Sequence, residues 1–478
     1  MEMKVFKFGV AALMLGILSA ACQSFKSDEG SNATSSTIRK WETTFDRSAL
    51  LEPVTIEVEE DVAEESLPVI NIQKEEVFQE MDGFGFTLNG GSAMLIMTQL
   101  SEEKRSALLE ELFSRNENAI GINFLRLSIG ASDLDEKVFS YADMPDGQAD
   151  PELKNFSLAY DTLYLVPLLQ KILQINPDLK IMGSPWSPPT WMKTNNSAIG
   201  GKLDPAYYAS YAQYFVKYVQ AMNGQGIPIY AITLQNEPEH PGNNPSMAMT
   251  PEEQAEFVKA HLGPAFQEAG IETKILVFDH NCDHPEYPIT VLNDKDAYPF
   301  IDGSAFHMYA GDITAMSQVK EAHPEKNIYF TEQWTSSKGD FAGDLEWHIQ
   351  NLIIGASRNW AKTVLEWNLA ADPEQKPFTP DGGCSMCLGA LTIGDDTVAR
   401  NVSYYIIAHA SKFVPSGSKR IESTYHDTLP NVAFLTPEGS LVMVVLNNKA
   451  NKQQFIMQLG DERKTVMISA RSVATFVW

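Results

Sequence analysis

Residues 230–237 read Tyr-Ala-Ile-Thr-Leu-Gln-Asn-Glu, a largely apolar run that ends abruptly in two amides and a carboxylate. The run shows no alternation of polar and apolar side chains, which is typical of a parallel strand covered on both faces. Seven further runs of this kind occur along the chain, at residues 81–86, 123–129, 180–184, 274–278, 303–307, 327–331 and 363–367. Together they predict eight parallel strands.

Amphipathic helical segments separate many of these runs. The clearest begins at Thr250-Pro251-Glu252-Glu253, where a helix N-cap is followed by proline in the first turn. Strand followed by helix, repeated eight times, predicts an α/β protein with a (β/α)8 TIM barrel over residues 78–414. The helices are predicted at residues 101–114, 204–222, 250–269, 341–360 and 401–413.

The C-terminal tail, residues 415–478, has a different pattern. Turn sequences such as Pro437-Glu438-Gly439 and Asn447-Asn448 separate its strand-like segments. Residues 38–77 also alternate β-branched and polar side chains. The two ends of the chain therefore predict a small antiparallel β-sandwich, with tail strands at residues 432–435, 440–446, 454–459 and 473–478.

Residues 1–37 have the composition of a targeting segment. Lys4 and Lys7 precede an apolar run at 8–21, which ends in small residues directly before Cys22. This pattern predicts a lipoprotein signal peptide over 1–22 with a lipidated Cys22; plain cleavage after the Ala20-Ala21 pair is the alternative. A polar tether follows at 23–37. We therefore expect an exported bacterial lipoprotein of the outer membrane, at its surface or periplasmic face, with the lipid as its only membrane contact.

Composition excludes some classes of partner. The formal net charge is −26 and the isoelectric point about 4.7, so the surface repels phosphate backbones and nucleic acid is not expected to bind. Cys384 and Cys387 have the spacing of a redox or zinc pair, but a second pair is absent. A local disulfide is expected, and two free thiols are the alternative. No metal or organic cofactor is expected, because His-x-His and His-Glu-x-x-His motifs are absent.

The residues just past the strand ends carry the candidate chemistry, because active sites of such barrels lie at the C-terminal ends of the strands. Glu237 follows the fourth run and Glu332 follows the seventh. A buried glutamate is costly without partners, so two of them across one barrel mouth indicate function. Asp279, His280 and Asn281 end the fifth run and are either substrate contacts or barrel-top hydrogen bonds.

A pair of facing carboxyl groups is the equipment for glycoside hydrolysis. One protonates the leaving oxygen and then acts as a base, and the other attacks the anomeric carbon or activates water.

Short motifs of this chain occur in barrel order: Gly83-Phe84-Gly85, Leu125-Arg126-Leu127, residues 184–194, Asn236-Glu237-Pro238, His307-Met308-Tyr309, Thr331-Glu332 and Trp367-Asn368-Leu369-Ala370. As a set they resemble glycoside hydrolase family 30, the glucosylceramidase-like family, and the tail is similar to the family's β-domain.

The resemblance implies a retaining mechanism and a division of roles. Glu237 would be the acid/base and Glu332 the nucleophile, with Asn236 donating to the sugar 2-hydroxyl. Arg126 and Tyr309 would hold Glu332 ionised and oriented. The remaining predicted sugar-binding residues are Trp186 and Trp367 in the glycone pocket, Asn89 at the outer hydroxyls, and His307, for which packing at the barrel rim is the alternative.

The expected activity is hydrolysis of β-linked glucosides, with β-1,6-glucan or its oligosaccharides as first choice because an exported lipoprotein suits glycan foraging. Glucosylceramidase, β-glucosidase, β-xylosidase and β-fucosidase activities are alternatives. Two rivals come from other classes: a glycan-binding lipoprotein on a hydrolase scaffold, and a metal-dependent hydrolase with the same barrel. The enzyme is expected to be a monomer.

Overall fold

The computed structural model describes residues 38–56 and 66–478. The predicted signal peptide (1–22) and tether (23–37) lie outside the described residues. Across the described ranges, no helix combines the length and apolar character needed to cross a membrane. The chain first forms three strands that join the C-terminal sheet: β1 (Arg39–Thr44), β2 (Glu52–Val54) and β3 (Val69–Glu80).

The eight predicted runs form one closed barrel, in which every strand is parallel to its neighbours. The barrel strands are β4 (Gly83–Thr87), β5 (Phe124–Ser128), β6 (Lys180–Ser184), β7 (Ala231–Thr233), β8 (Lys274–Cys282), β9 (Ile301–Gly311), β10 (Asn327–Glu332) and, after the short β11 (Thr335–Ser336), β12 (Ala361–Asn368). The prediction of a (β/α)8 barrel is thereby confirmed.

Burial on both faces explains why these strands read as continuous apolar runs. One apolar side chain from each of seven strands forms a cluster of its own, separate from the large core that includes the helices: Phe124, Met182, Ala231, Leu276, Ala305, Tyr329 and Leu365. The barrel is therefore packed solid rather than hollow, as expected of this fold. The polar side chains with candidate functions therefore lie at the strand ends.

Helices surround the barrel, and the structure contains more of them than the sequence predicted. They are α1 (Gly90–Thr98), α2 (Glu102–Phe113), α3 (Leu165–Ile175), α4 (Tyr208–Gly224), α5 (Pro251–Phe257), α6 (Gly263–Ala269), α7 (Glu286–Asn293), α8 (Ala315–Ala322), α9 (Phe341–His348) and α10 (Val402–Ser411). The predicted helix at 250–269 begins with the expected capping box but is divided by a π-helical segment, Val258–Leu262. Helices α1, α3, α7 and α8 were not predicted; glycines open α1, and Pro167 interrupts the pattern of α3.

The sandwich is a single nine-stranded sheet in the order β2-β1-β22-β19-β18-β17-β3-β20-β21. All its pairings are antiparallel, as predicted, except that of β3 with β20. Strand β3 reaches the sheet from the other end of the chain, so no hairpin fixes its direction. The remaining strands are β13 (Ala370–Ala371), β14 (Cys387–Leu388), β15 (Leu391–Gly394), β16 (Thr397–Arg400), β17 (Lys419–Ser423), β18 (Asn431–Leu435), β19 (Leu441–Asn447), β20 (Gln453–Leu459), β21 (Glu462–Ile468) and β22 (Ser472–Val477). Of these, β17 and β21 in the tail and the short strands β13, β14, β15 and β16 before it were not predicted.

The central sandwich strands are buried on both faces. Along β18, Val432 and Phe434 belong to the core shared with the barrel, whereas Ala433 between them belongs to the inner core of the sandwich. Phe434 packs edge-to-face on Phe84 of β4, with ring centroids 6.1 Å apart. The sheet therefore continues the barrel core and the two parts should unfold together.

Phe434→Ala tests this shared core. Loss of a fully buried aromatic side chain is expected to lower the free energy of unfolding by about 3–5 kcal/mol. Chemical denaturation should still show a single transition for both parts. Glu438→Ala, in the exposed turn that follows, is the control and should change stability by less than about 0.5 kcal/mol. Separate transitions of the barrel and the sandwich would contradict a shared core.

Candidate functional site

A cavity of about 450 Å³ lies at the C-terminal ends of the barrel strands. Residues at or just beyond the ends of five strands line it: Trp186, Glu237, Tyr309, Glu332 and Trp367 among them. The structure thus brings together the two predicted glutamates and the aromatic residues predicted around them. Arg126, Asn236 and His307 lie beneath this surface and are almost fully buried.

Glu332, the last residue of β10, is held at both carboxylate oxygens. Arg126 Nη1 donates to Oε2 at 2.5 Å, and the Tyr309 hydroxyl donates to Oε1 at 2.9 Å. Burial raises the pKa of the Glu332 carboxyl, and the positive charges of His307 and Arg126 act against that increase. The charged donor of Arg126 and the hydroxyl donor of Tyr309 keep this carboxylate ionised and fix its orientation, which is what a nucleophile requires.

Glu237 faces Glu332 across the cavity. A carboxylate oxygen of each residue lies within 4.8 Å of the other. Retaining glycosidases place the two carboxyl groups about 5–5.5 Å apart, whereas inverting enzymes need about 6.5–9.5 Å to admit a water molecule between them. Nearest oxygens within 4.8 Å bring the two carboxyl groups close enough for the shorter spacing of a retaining pair.

The backbone at Glu237 is strained. Its φ angle is 46°, a left-handed conformation that costs energy for a residue with a side chain. The amide of Glu237 donates to the carbonyl oxygen of Asp279 at 3.0 Å, which ties this residue to the neighbouring strand β8. The strain turns the chain sharply after β7, so that the side chain at the strand end faces the cavity.

Asp279 is the centre of the buried polar network under the cavity. It lies at a β-bulge in β8, where both Phe278 (φ 73°) and Asp279 (φ 70°) are left-handed. Its carboxylate accepts hydrogen bonds from five side chains at 2.7–3.0 Å: Arg126, Ser184, Thr233, His307 and Thr331. Of the two roles left open by the sequence, the structure assigns Asp279 to barrel-top hydrogen bonding, since it is fully buried.

The charge of Asp279 is stabilised by these donors. Burial alone would raise the pKa of the Asp279 carboxyl, but the charge of Arg126 and the hydrogen bond from His307 hold it well below its usual value. A permanent negative charge at this point balances Arg126. The single positive charge of the guanidinium is thus shared between Asp279 at Nη2 and Glu332 at Nη1.

His307 connects this network to Glu237. Its Nε2 lies 3.0 Å from Asp279 Oδ1, and its Nδ1 lies 3.2 Å from Glu237 Oε1. Because ionised Asp279 can only accept, Nε2 must carry a proton. Burial lowers the pKa of His307, but the charge of Glu332 and the hydrogen bonds to Asp279 and Glu237 outweigh it and raise the pKa to about 9.

A single proton is therefore shared between His307 Nδ1 and Glu237 Oε1. The charge of His307 favours the ionised form of Glu237 and lowers its pKa, although burial alone would raise it. In a coupled pair the proton belongs to both groups rather than to one. Glu237 can thus act as an acid when that proton is on its carboxyl group, and as a base when the proton is on the imidazole.

Two tryptophans line the cavity surface, and the amide of Asn236 lies beneath it. The rings of Trp186 and Trp367 lie with centroids 5.3 Å apart, and the guanidinium of Arg126 lies 4.9 Å from the Trp186 ring. Arg126 Nη2 also donates to Asn236 Oδ1 at 2.6 Å. This contact fixes the amide, so its NH2 group is the donor that Asn236 can offer to a ligand.

Asn89 does not belong to this surface. It is buried at the N-terminus of α1, where its side-chain oxygen accepts from the Ser92 amide at 2.8 Å, and it does not line the cavity. The carboxylate that does line the cavity is Asp133, which the sequence did not reveal. Burial, together with the charges of Glu332 and Glu237, raises the pKa of Asp133 to about 8.

Asp133 escaped prediction because it lies five residues beyond the end of β5, in a long loop without a motif. Its backbone carbonyl accepts from the amide of Thr379 at 2.9 Å, a residue of the loop after β12. The Thr379 hydroxyl also donates to that carbonyl oxygen, at 3.3 Å, so contacts between distant loops place Asp133 in the cavity. Glu366, another carboxylate near the barrel mouth, is instead paired with His348 at 2.6 Å.

Glu237, His307 and Glu332 are also spaced closely enough to ligate a metal ion. Both oxygens of Glu332 already accept from Arg126 and Tyr309, and both oxygens of Glu237 contact side-chain nitrogens, of His307 and Asn243. A cation here would have to compete with the guanidinium of Arg126. The donor set therefore fits a hydrogen-bonded carboxylate pair and not a metal centre.

Asp279→Asn tests the network. Loss of this charge leaves Arg126 less well balanced, and the free energy of unfolding is expected to fall by about 3–5 kcal/mol. The pKa of His307 should also fall, as measured by NMR titration of the histidine side chains. A folded pKa of about 9 lies above the unfolded value of about 6.5.

The proton bound by His307 therefore stabilises the folded wild-type protein fully below about pH 6.5, and this stabilisation is lost as the pH rises through 9. Asp279→Asn should show a smaller loss over that window. Thr233→Val, which removes one hydrogen bond to Asp279 but no charge, is the control and should leave the pKa of His307 near its wild-type value. An unchanged pKa in Asp279→Asn would contradict the assignment.

Comparisons with known proteins agree with this site. The model of the glycosyl hydrolase family 30 TIM-barrel domain matches residues 81–414, and that of the family 30 β-sandwich domain matches residues 417–476. The solved structure of the endo-β1,6-glucanase BT3312 is 33% identical, covers 92% of this chain and 99% of its own, and superimposes with a TM-score of 0.85.

Two curated relatives show the range of similarity. Endo-1,6-beta-D-glucanase neg1 of Aspergillus fumigatus is 35% identical over 417 residues, which is 81% of this chain and 84% of the relative. Lysosomal acid glucosylceramidase of Mus musculus is 29% identical over 442 residues, 86% of this chain and 83% of the relative. With both the barrel and the sandwich matching, the chain belongs to glycosyl hydrolase family 30 and is a glycoside hydrolase.

Proposed function

We propose that this enzyme is a retaining endo-β-1,6-glucanase. The observation that carries the proposal is the spacing of Glu237 and Glu332, whose nearest carboxylate oxygens lie within 4.8 Å. The linkage is taken from the relatives, because both the 35% identical fungal protein and the 33% identical solved structure are endo-1,6-β-glucanases. The glucosylceramidase relative is less similar, at 29%.

The first half of the reaction transfers the sugar to the enzyme. A carboxylate oxygen of Glu332 attacks the anomeric carbon, and the bond from that carbon to the leaving oxygen breaks with its electron pair on the oxygen. Glu237 delivers its proton to that oxygen. Arg126 keeps the attacking carboxylate ionised and oriented in the buried site, where hydrogen bonds need no reorganisation during the reaction.

The second half releases the sugar. Water attacks the anomeric carbon of the glycosyl-enzyme ester, and the bond from that carbon to Glu332 breaks and restores the Glu332 carboxylate. Glu237, now ionised, takes the proton of that water. His307 keeps the Glu237 carboxyl group oriented at both stages through its contact with Oε1. Two inversions at one carbon give net retention of configuration.

The sugar in the reacting position is proposed to contact four side chains. Asn236 donates its NH2 group to the 2-hydroxyl, an interaction that strengthens in the transition state. Trp186 and Trp367 pack against the ring. Asp133 accepts hydrogen bonds from outer hydroxyl groups, the role that the resemblance had suggested for Asn89, because its carboxylate lines the cavity.

The cellular setting is part of the same proposal. The basic start, the short apolar run and Cys22 support an exported lipoprotein, anchored in the outer membrane by lipid only. We also propose that the enzyme acts as a monomer, since all residues of the site come from one chain. A glucan is too large to enter the cell intact, which suits an enzyme outside the cytoplasm.

Substitution of each glutamate should separate their roles. Glu332→Gln is expected to lower turnover of 2,4-dinitrophenyl β-gentiobioside by about 10³-fold or more, because no glycosyl-enzyme can form. Glu237→Gln should lower activity on glucan by about 10²- to 10⁴-fold, but much less on the activated aryl glycoside, whose leaving group needs no proton.

Azide provides the matched control. It should accelerate Glu237→Gln and give a β-glycosyl azide, because azide attacks the accumulated glycosyl-enzyme without a general base. Glu332→Gln should not yield that product. An α-configured azide from Glu237→Gln, or wild-type turnover by Glu332→Gln, would refute the assignment.

The product profile tests the linkage and the mode of action. On pustulan, a β-1,6-glucan, the wild-type enzyme should release a ladder of short oligosaccharides, and early products should keep the β configuration by NMR. Laminarin, xylan and glucosylceramide should be cleaved far more slowly. Glucose as the only early product would indicate exo action, and preferred cleavage of glucosylceramide would overturn the proposed substrate.

A further inference from the structure

The loop after β12 carries the disulfide between Cys384 and Cys387, and this disulfide is part of the cavity wall. Cys387 packs in an apolar cluster with Trp186, Trp367 and Leu134, and Cys384 packs against the same cluster. The disulfide therefore packs in the same apolar cluster as the two cavity-lining tryptophans. The expected local disulfide is present, and its position gives it a role beyond local structure.

One end of this loop is fixed to the nucleophile strand. Cys387 and Leu388 of β14 pair with Ser336 and Thr335 of β11, which begins three residues after Glu332. The amide of Ser337 also donates to the carbonyl oxygen of Met386 at 2.9 Å. The disulfide thus sits on the backbone that continues directly from the nucleophile.

The other end is fixed to the segment that contacts the acid/base. Asn244 Nδ2 donates to the carbonyl oxygen of Pro380 at 2.7 Å. The backbones approach so closely at Gly382 (φ 141°) that an added Cβ would lie 3.0 Å from the Asn244 amide nitrogen. The neighbouring Asn243 lines the cavity and donates to Glu237 Oε2 at 3.2 Å.

The cavity wall beside Glu237 is the side from which a leaving group departs, because Glu237 must reach the leaving oxygen. His307 occupies Oε1 of Glu237 from below, whereas Oε2 contacts only the cavity-lining Asn243. The disulfide loop supports the Asn243 segment and continues the wall toward Trp334, which also lines the cavity. The apolar face of the disulfide and Trp334, and the amide of Asn243, then flank one pocket.

Global stability does not explain this disulfide well. It links residues only three apart, and the stabilisation from a cross-link grows with the length of the loop that it closes. Its effect must be local. Between β13 and β15 the chain runs through residues 372–390 with only the two residues of β14 in a strand, and loops of this length are usually functional.

We propose that the disulfide-closed loop forms the leaving-group subsite and selects a glucan chain as the leaving group. This rests on the proposed glucanase function. The leaving sugar packs on the disulfide and Trp334 and forms a hydrogen bond with Asn243. The binding energy of this leaving sugar is used to position the scissile oxygen against Glu237.

Cys384→Ser/Cys387→Ser provides the test, with two substrates that share the same glycone. The double variant should lose about tenfold or more of kcat/KM on a β-1,6-linked glucohexaose, since misplacement of a leaving group is costly. Its kcat/KM on 2,4-dinitrophenyl β-gentiobioside should fall several-fold less, because an activated aryl group needs neither proton nor subsite. Retained aryl activity also shows that the variant is folded.

Chemical reduction of the wild-type enzyme is the second arm. A water-soluble phosphine cleaves the S–S bond, takes up the oxygen of water and leaves two thiols. Reduction should reproduce the selective loss on the glucohexaose and have no further effect on the double variant. Equal losses on both substrates, or full activity of the double variant on both, would overturn the proposal.

Failure of the glucanase function would look different. A wild-type enzyme that is inactive on every β-1,6-glucan but cleaves another β-glucan would refute the proposed linkage alone. The comparison of double variant and wild type would then be made with that glucan and its aryl glycoside. A selective loss on the glucan would support the subsite, and parallel changes would refute it.

Discussion

The ion network formed by Arg126, Asp279 and Glu332 is the constraint on which the rest of the site depends. Arg126 is fully buried, and its guanidinium donates to Glu332, Asp279, Asn236 and Ser184 at once. A buried guanidinium without such partners would cost several kcal/mol, so the site can form only when all of its acceptors are in place. Packing of the barrel thus commits the nucleophile to one position.

The network also explains how neighbouring carboxylates coexist. Asp279 neutralises part of Arg126, and the rest of that charge stabilises Glu332. His307 brings one proton to Glu237, so the site does not hold three uncompensated negative charges. The arrangement is asymmetric, because Glu332 has a guanidinium and a hydroxyl as partners and Glu237 has an imidazole that can exchange its proton. This asymmetry is what separates a nucleophile from an acid/base.

Strain and loop contacts complete the site above this network. Glu237, Phe278 and Asp279 all have left-handed backbones that the buried hydrogen bonds must maintain. Above them, the loops after β5, β7 and β12 contact one another through Asp133, Asn244 and the disulfide segment. The floor of the cavity is therefore set by the barrel, and its walls are set by loops that depend on each other. The floor determines the chemistry, and the walls determine the choice of substrate.

The sequence by itself determined the barrel and its catalytic pair. Burial on both faces makes each strand a continuous apolar run, and a glutamate at the end of such a run, as at Glu237 and Glu332, stands out because it has no other reason to be there. The family motifs then assigned roles to Arg126, Asn236 and Tyr309, and the structure places all of them in contact with the network or the cavity.

Only the tertiary structure decided the remaining parts of the site. Asp133, Asn243 and the position of the disulfide depend on contacts between loops far apart in the chain, which no local pattern encodes. The left-handed conformations at Phe278 and Asp279 oppose the local preference of those residues, so sequence reasoning could not assign Asp279 to the network. Asn89 caps helix α1 and does not line the cavity, so its contact with a sugar stays a prediction. Only the fold shows that Asp133 reaches the cavity from another loop.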